Sequence, residues 1–397
     1  MLCLDYGTKQ GKENLDGILP YVDAVVISHS HLDHIGNIAE AVKRNPKVDI
    51  FGTERSGRIV RYQLEDMLAI SQRDGNKSQR RSISLDDIVN TMNRWQSKPY
   101  RQTFSSKGFD VTLYNAGHIP GSALTEVKKN GKRVVYTGDI NLEGNVLGET
   151  PDLEHIEKDP DVLIIESTYG DKIRGTSEVR SKELEKCVSE AIESGNNVFI
   201  PAFAIERIQA VGTILNRLAE KYSDYSFYMV SPSSIAMRNM IYTDMDFKNL
   251  NEVRNVPSGY KEQRSVIVST SGFCTGGISK KILRDVMGEK NYTIIIPSSF
   301  LPQESPLKSA IETGKAEFRY KDNVERRELK ADIKQVSLSA HSDQNGLVNI
   351  VEAICPSKKT QILLVHGEDE PQKALYSRLK TLGYTVHIPK RDEEFYI

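Results

Sequence analysis

The 397-residue chain is 38% hydrophobic and 27% charged, a soluble, enzyme-like composition that excludes a fibre or a disordered chain, and its length suits two domains. A formal net charge of −1 leaves no global basic field, so a nucleic-acid partner would have to be met by a local patch. Cys3, Cys187, Cys274 and Cys355 form no CxxC pair, no run reaches the roughly 18 apolar residues of a membrane span, and no signal peptide is visible, so a reducing, cytoplasmic setting without a membrane partner is expected.

Short apolar runs alternate with amphipathic segments, which predicts α/β layers. The first clear strand, "DAVVIS", leads directly into "SHSHLDHIG", and "HIGNIAEAVK" then reads as a helix, so the side chains of the motif project from a strand-to-helix loop. The whole chain has eight histidines, yet His29, His31 and His34 crowd into this loop together with Asp33. Imidazole nitrogens and carboxylate oxygens suit zinc. Four such donors are too many for one four-coordinate ion that keeps an open position, so two metals are the economical reading. The stretch from Thr53 to Thr103 is polar, helical in composition and carries the basic run "RDGNKSQRRS"; it reads as a solvated excursion over the first domain, with a substrate-facing loop as the alternative. Trp95, the only tryptophan, reads as a packing residue.

Further donors follow at the ends of predicted strands: His118 in "NAGHIPGS", Asp139 in "VYTGDI" and His366 in "LLVHGE". Each motif alone is ordinary loop punctuation. In order after HxHxDH they supply about the number of nitrogen and oxygen donors that a dinuclear site needs, with one carboxylate left to bridge.

Between these motifs, "VLIIES", "NVFIPA", "SFYMV", "SVIVST", "TIIIP" and "QVSLSA" read as strands. Leu184, Cys187, Val188, Ala191 and Ile192 recur at helical spacing before a stop at Gly195, and Ile205, Ile208, Val211, Ile214, Leu215 and Leu218 mark a second helix. The region from Asp171 to Asp332 is therefore expected to form an α/β unit of its own. In "STSGFCTGGISKK", Gly276 and Gly277 lie between a strand and a helix with Lys280 and Lys281 nearby; backbone N–H groups there could meet a phosphate, or the glycines could make a plain turn.

The series "LDYG", "SHSHLDHIG", "AGHIPGS" and "YTGDI" resembles the first four motifs of the metallo-β-lactamase fold superfamily. "IIESTYG", "SLSAHSD" and "LLVHGE" resemble motifs A, B and C of its β-CASP nucleases. The resemblance implies an αββα sandwich over 1–170 and 333–397 with an inserted α/β β-CASP cassette over 171–332. It places His29, His31 and His118 on one zinc, Asp33, His34 and His366 on a second, and Asp139 between them. Asp5 matches a non-ligand aspartate that supports the ligand histidines. Asp33, Glu166 and His341 become the catalytic candidates, with Glu166 holding His341 as the acid for the leaving group; a purely structural Glu–His pair is the alternative. Ser339, within motif B, joins Gly276 and Gly277 as a phosphate-contact candidate.

The function this implies is a zinc-dependent phosphodiesterase that cleaves single-stranded RNA by two-metal activation of water, with two zinc ions per chain. The histidine in motif C points to RNA rather than DNA. A DNA nuclease, another ester hydrolase of this fold and a catalytically silent nucleic-acid-binding partner are the alternatives.

Three departures from the family pattern bear on this. The β-hairpin that usually precedes "LDYG" is not in this sequence, which leaves a strand edge that could serve as a subunit contact in a homodimer. In "PAFAIERIQ", Glu206 stands where the pattern has glycine, and after "YTIIIP" the chain has "SSFLPQESPLKSAIETG" in place of a glycine-rich, glutamine-bearing segment. A dedicated pocket for a 5′ phosphate is therefore not expected, and mainly endonucleolytic cutting is.

Overall fold

The computed structural model describes residues 1–8, 20–74, 83–144, 146–147, 149–241, 245–320 and 323–396. They divide into two compact units, one of Met1–Asn145, Glu149–Ile173 and Ala340–Ile397, the other of Val146–Gly148 and Arg174–Ser339.

The first unit is built on two sheets. Leu2–Leu4, Ala24–Val26, Asp49–Gly52 and Trp95–Ser97 form a four-stranded parallel sheet. Seven strands make the other, in the order Thr385–His387, Gln361–Val365, Val162–Glu166, Lys132–Tyr136, Ala123–Lys129, Phe109–Asn115 and Phe104–Ser106. Its first four strands are mutually parallel and its last three join as antiparallel hairpins.

The period-2 alternation of a strand explains the layering. Ala24 and Val26 pack with Val111, Leu113, Ala123 and Val127 between the sheets. Val25 and Ile27 face the other way, into a core with Ile35, Ile38, Val60 and Leu64 from helices. On the outer face of the larger sheet, Val135, Leu163, Ile165 and Leu364 pack against the helices Gln344–Ile354 and Asp369–Thr381. Helix, sheet, sheet, helix is the αββα sandwich expected from the motifs.

The segment after Thr53 differs from the expected solvated excursion. Helix Glu54–Asp74 buries Ser56, Ile59, Val60 and Leu64, three to four apart along one face, so its apolar stripe completes the helical layer over the smaller sheet. The stripe is narrow and flanked by charged residues, which hid it in the composition. Trp95 packs on the same core, and a Cβ on Gly52 or Gly57 would lie 2.5 Å from its ring. The basic run from 75 to 82 lies outside the described residues.

The second unit has a six-stranded, wholly parallel sheet in the order Asn251–Val253, Ser226–Val230, Ser265–Ser269, Asn197–Pro201, Tyr292–Ile296 and Asp332–Gln335. Helices Ser177–Glu193 and Arg207–Lys221 supply Leu184, Val188, Ile208, Val211 and Leu215 to one core. Helix Gly277–Val286 supplies Ile282, Leu283 and Val286 to the other. The strand expected at "QVSLSA" is displaced. The edge strand is Asp332–Gln335; just beyond it the Val336 N–H still donates to the Ile296 carbonyl at 2.9 Å, and Val336 and Leu338 drop into the core, so burial outside the strand produced the alternation.

Leu64→Ala tests the helical layer. It is expected to cost about 2–5 kcal/mol, read from chemical denaturation of the first unit, because the side chain is fully buried. A solvated excursion would lose less than about 0.5 kcal/mol.

Candidate metal centre

Several strands of the first unit end at one cluster of side chains. Past Val26 the loop carries His29 and His31, and the short helix Leu32–Ile35 carries Asp33 and His34. Asp139 follows strand Lys132–Tyr136, Glu166 ends strand Val162–Glu166, and His366 follows strand Gln361–Val365. Gly138, at φ +53°, permits the close approach of that turn: a Cβ there would sit 2.6 Å from the Ser28 Cβ.

A network behind the cluster fixes which ring nitrogens face inward. Asp5 Oδ2 accepts from His34 Nδ1 at 2.6 Å, from Ser28 Oγ at 2.7 Å and from Tyr136 Oη at 2.8 Å, while Oδ1 accepts from the Ser28 N–H at 2.7 Å. Ser28 Oγ, having donated to Asp5, accepts from His29 Nδ1 at 3.1 Å. His118 Nδ1 donates to the Ala340 carbonyl at 2.8 Å. With those protons on Nδ1, the Nε2 lone pairs of His29, His34 and His118 are left for the interior of the site.

They converge there. His31 Nδ1 lies 3.0 Å from His29 Nε2 and 3.2 Å from His118 Nε2, and Asp139 Oδ2 lies 3.4 and 3.5 Å from the same two Nε2 atoms. The edge of a tetrahedron around zinc, with bonds of about 2.0–2.1 Å, is roughly 3.3–3.4 Å, so these four atoms have the spacing of a ligand set. The other oxygen of Asp139, Oδ1, lies 3.5 Å from His34 Nε2 and 3.4 Å from His366 Nδ1, and Asp33 Oδ2 lies 3.3 Å from His366 Nε2. Asp139 thus turns one oxygen to each set.

The fit to a cation rests on two atoms. His34 Nε2 and Asp139 Oδ1 are buried without a hydrogen-bond partner, in a protein that otherwise ties these residues down closely. Leaving such groups unpaired costs on the order of 1–3 kcal/mol each, which a bound cation removes. The electrostatics agree. Burial pushes His29 and His118 well down and His31 down to about 4, keeping the first set neutral as metal ligands must be. In the second set burial again opposes charge but is outweighed: Asp139 and Asp5 lift His34 to about 9, and Asp139 with Asp33 lifts His366 to about 10. The carboxylates there call for positive charge.

Beside this cluster, both carboxylate oxygens of the fully buried Glu166 lie 2.9 Å from His341 Nδ1. Glu166 also accepts from the N–H groups of Ile140 at 2.8 Å and Thr168 at 3.3 Å. Burial resists the charge on both partners, yet their mutual attraction lowers the Glu166 carboxyl and, with Asp139, raises His341. His341 Nε2 points to Asp139 Oδ2 at 3.7 Å.

With this geometry in hand, residues 2–149 match the metallo-β-lactamase superfamily domain and residues 326–389 the zinc-dependent metallo-hydrolase RNA specificity domain. The chain thus carries a metallo-β-lactamase superfamily domain over residues 2–149. Relatives are similar over nearly its whole length. A probable RNase MJ4 of Methanocaldococcus jannaschii is 27% identical over 100% of this chain and 94% of its own. The RNase aCSPSF2 of Saccharolobus solfataricus is 28% identical over 99% of this chain and 80% of its own. Endoribonuclease YSH1 of Kluyveromyces lactis is 24% identical over 98% of this chain and 56% of its own.

Among the residues singled out in the sequence, His29, His31, Asp33, His34, His118, Asp139, His366, Asp5, Glu166 and His341 come together in the first unit. Gly276, Gly277 and Ser339 belong to the second. Sequence reasoning missed Ser28 and Tyr136, which lie inside quoted motifs but are distinguished from neighbouring hydroxyls only by where the strands point them.

Asp5→Asn, which keeps a residue tolerant of the observed φ of +62°, is expected to weaken zinc binding about 10- to 100-fold by loosening His34, measured by competition with a chromogenic chelator. Unchanged affinity would show that Asp5 does not position the ligands.

Proposed function

We propose that this chain is a ribonuclease that cuts single-stranded RNA mainly at internal phosphodiesters, with one zinc held by His29, His31 and His118, a second by Asp33, His34 and His366, and Asp139 between them. The observation that carries the reading is the division of the two Asp139 oxygens between two converging ligand sets. The RNA specificity match over residues 326–389, and relatives named RNase and endoribonuclease, support RNA over DNA as the substrate. In this reading the first unit, Met1–Asn145, Glu149–Ile173 and Ala340–Ile397, is the lactamase fold, the second unit is the β-CASP cassette, and the protein works in the cytoplasm as a monomer or homodimer. Among the described residues no helix is long and apolar enough to cross a membrane.

When bound, zinc supplies Lewis-acid polarisation of the phosphate and lowers the pKa of water toward about 7. The protein's own groups do the rest. Glu166 keeps the His341 imidazole turned with Nδ1 inward and favours its charged form, so Nε2 carries the proton that the departing ribose 3′ oxygen needs. Asp33 serves chiefly as a ligand and could also accept the proton of the attacking water. Gly276, Gly277 and Ser339 are the proposed phosphate contacts.

His341→Ala is expected to retain zinc and fold while losing turnover by about 100-fold or more, with much of the rate recovered on a substrate whose leaving group needs no proton. Equal losses on both substrates would assign His341 a structural role.

Cleavage of circular RNA, of linear RNAs bearing a 5′ monophosphate or a 5′ hydroxyl, and of DNA of the same sequence tests the reading as a whole. Circles and both linear RNAs should be cut at similar rates and DNA poorly. Intact circles beside stepwise loss from the 5′-monophosphate end would overturn the endonucleolytic assignment, and preferential cutting of DNA would overturn the choice of RNA.

A further inference from the structure

Three phenylalanines of the second unit stand apart from its cores. Phe203 follows strand Asn197–Pro201, Phe273 follows Ser265–Ser269 and Phe300 follows Tyr292–Ile296, and these strands are neighbours in one parallel sheet. All three rings therefore lie past the carboxyl ends of central strands, where open α/β sheets bind ligands. Phe203 and Phe273 meet edge to face with centroids 4.7 Å apart, and Phe273 and Phe300 at 6.0 Å. Phe300 is 49% exposed and the other two are half-buried.

These rings are outside both hydrophobic cores of the unit, as described, so burial does not account for them. They are nonetheless held in place. Gly272 lies against the Phe203 ring, where a Cβ would come within 3.0 Å. Ser305 Oγ donates to the Phe273 carbonyl at 2.8 Å, and Ser298 Oγ donates to the Phe300 carbonyl at 2.9 Å. An exposed aromatic whose backbone is pinned has already lost the entropy that binding would otherwise cost.

The surroundings select an anionic partner with flat apolar groups. Four residues after Phe273 begins helix Gly277–Val286, whose N-terminus has no side-chain cap and no acidic residue in its first turn. The Ser279 N–H in this turn already donates to the Thr270 carbonyl at 2.8 Å, and the positive end of the helix still favours nearby negative charge. Aromatic faces beside a phosphate-attracting backbone are the two components of single-strand recognition: stacked bases and a tracked backbone. An apolar peptide would use the rings and leave the helix end idle.

We infer that Phe203, Phe273 and Phe300 form a base-stacking subsite that grips unpaired nucleobases of the RNA. This inference rests on the ribonuclease reading for its substrate. It gives the segment "SSFLPQESPLKSAIETG" a role through Phe300, by stacking and not by counting from a 5′ phosphate.

The test measures binding of the zinc-loaded full chain to a labelled phosphorothioate oligoadenylate of about 12 nucleotides and to an abasic strand of equal length. Phe300→Ala should weaken the oligoadenylate roughly 5- to 150-fold and leave the abasic strand unchanged, whereas Phe300→Tyr should bind as the parent does. Phe300→Leu, which keeps bulk without the ring, should behave like Phe300→Ala. The inference is overturned if Phe300→Ala binds the oligoadenylate normally, if it weakens both strands equally, or if the parent protein does not prefer the strand with bases. Failure of the ribonuclease reading looks different: base-dependent binding persists, yet an ordinary RNA of the same sequence survives incubation with the zinc-loaded chain.

Discussion

Everything at the centre of the first unit depends on the buried carboxylate of Asp139, which is 2% exposed and faces imidazole nitrogens through both oxygens. An ionised carboxylate in such a place is costly unless positive charge accompanies it. Imidazolium could supply that charge on one side only, because burial keeps His29, His31 and His118 neutral while His34 and His366 are raised. Cations held at the two candidate sets would satisfy the carboxylate and the lone pairs together. The hydrogen bonds from Asp5 through Ser28, and from His118 to the Ala340 carbonyl, make sense on the same terms, since each removes a proton from the face where a metal would sit.

The architecture serves this constraint by bringing strand ends from both sheets to one place. The smaller sheet delivers the histidine loop and the larger delivers Asp139, Glu166 and His366. Residues 333 positions apart, Asp33 and His366, meet because the chain returns to the first unit after building the second. The same logic recurs in the second unit, where the aromatic trio occupies the carboxyl edge of a parallel sheet.

Much of this was legible in the sequence, for an identifiable reason. Metal chemistry restricts residue type, and a histidine-poor chain that clusters histidine and aspartate on strand-end loops marks its candidate ligands by position, which the structure brings together. The pairing of Glu166 with His341 was readable only through the motifs that hold them. Ser28 and Tyr136 were not, because a hydroxyl becomes important by its direction and strand direction is a tertiary property. The helix Glu54–Asp74 was misjudged as solvated because its buried stripe, with Ser56, Ile59, Val60 and Leu64, is flanked by charged residues. "QVSLSA" imitated a strand because Val336 and Leu338 are buried beyond the end of strand Asp332–Gln335. The phenylalanines lie in three separate loops with no shared spacing, so only the sheet order unites them.

The most direct test of the account is the zinc content of purified protein and of Asp139→Ala, measured by atomic spectroscopy alongside circular dichroism. The account predicts about two zinc ions per chain in the parent and loss of bound metal in the folded variant, since both sets share that carboxylate. A folded Asp139→Ala protein with unchanged zinc content would contradict it.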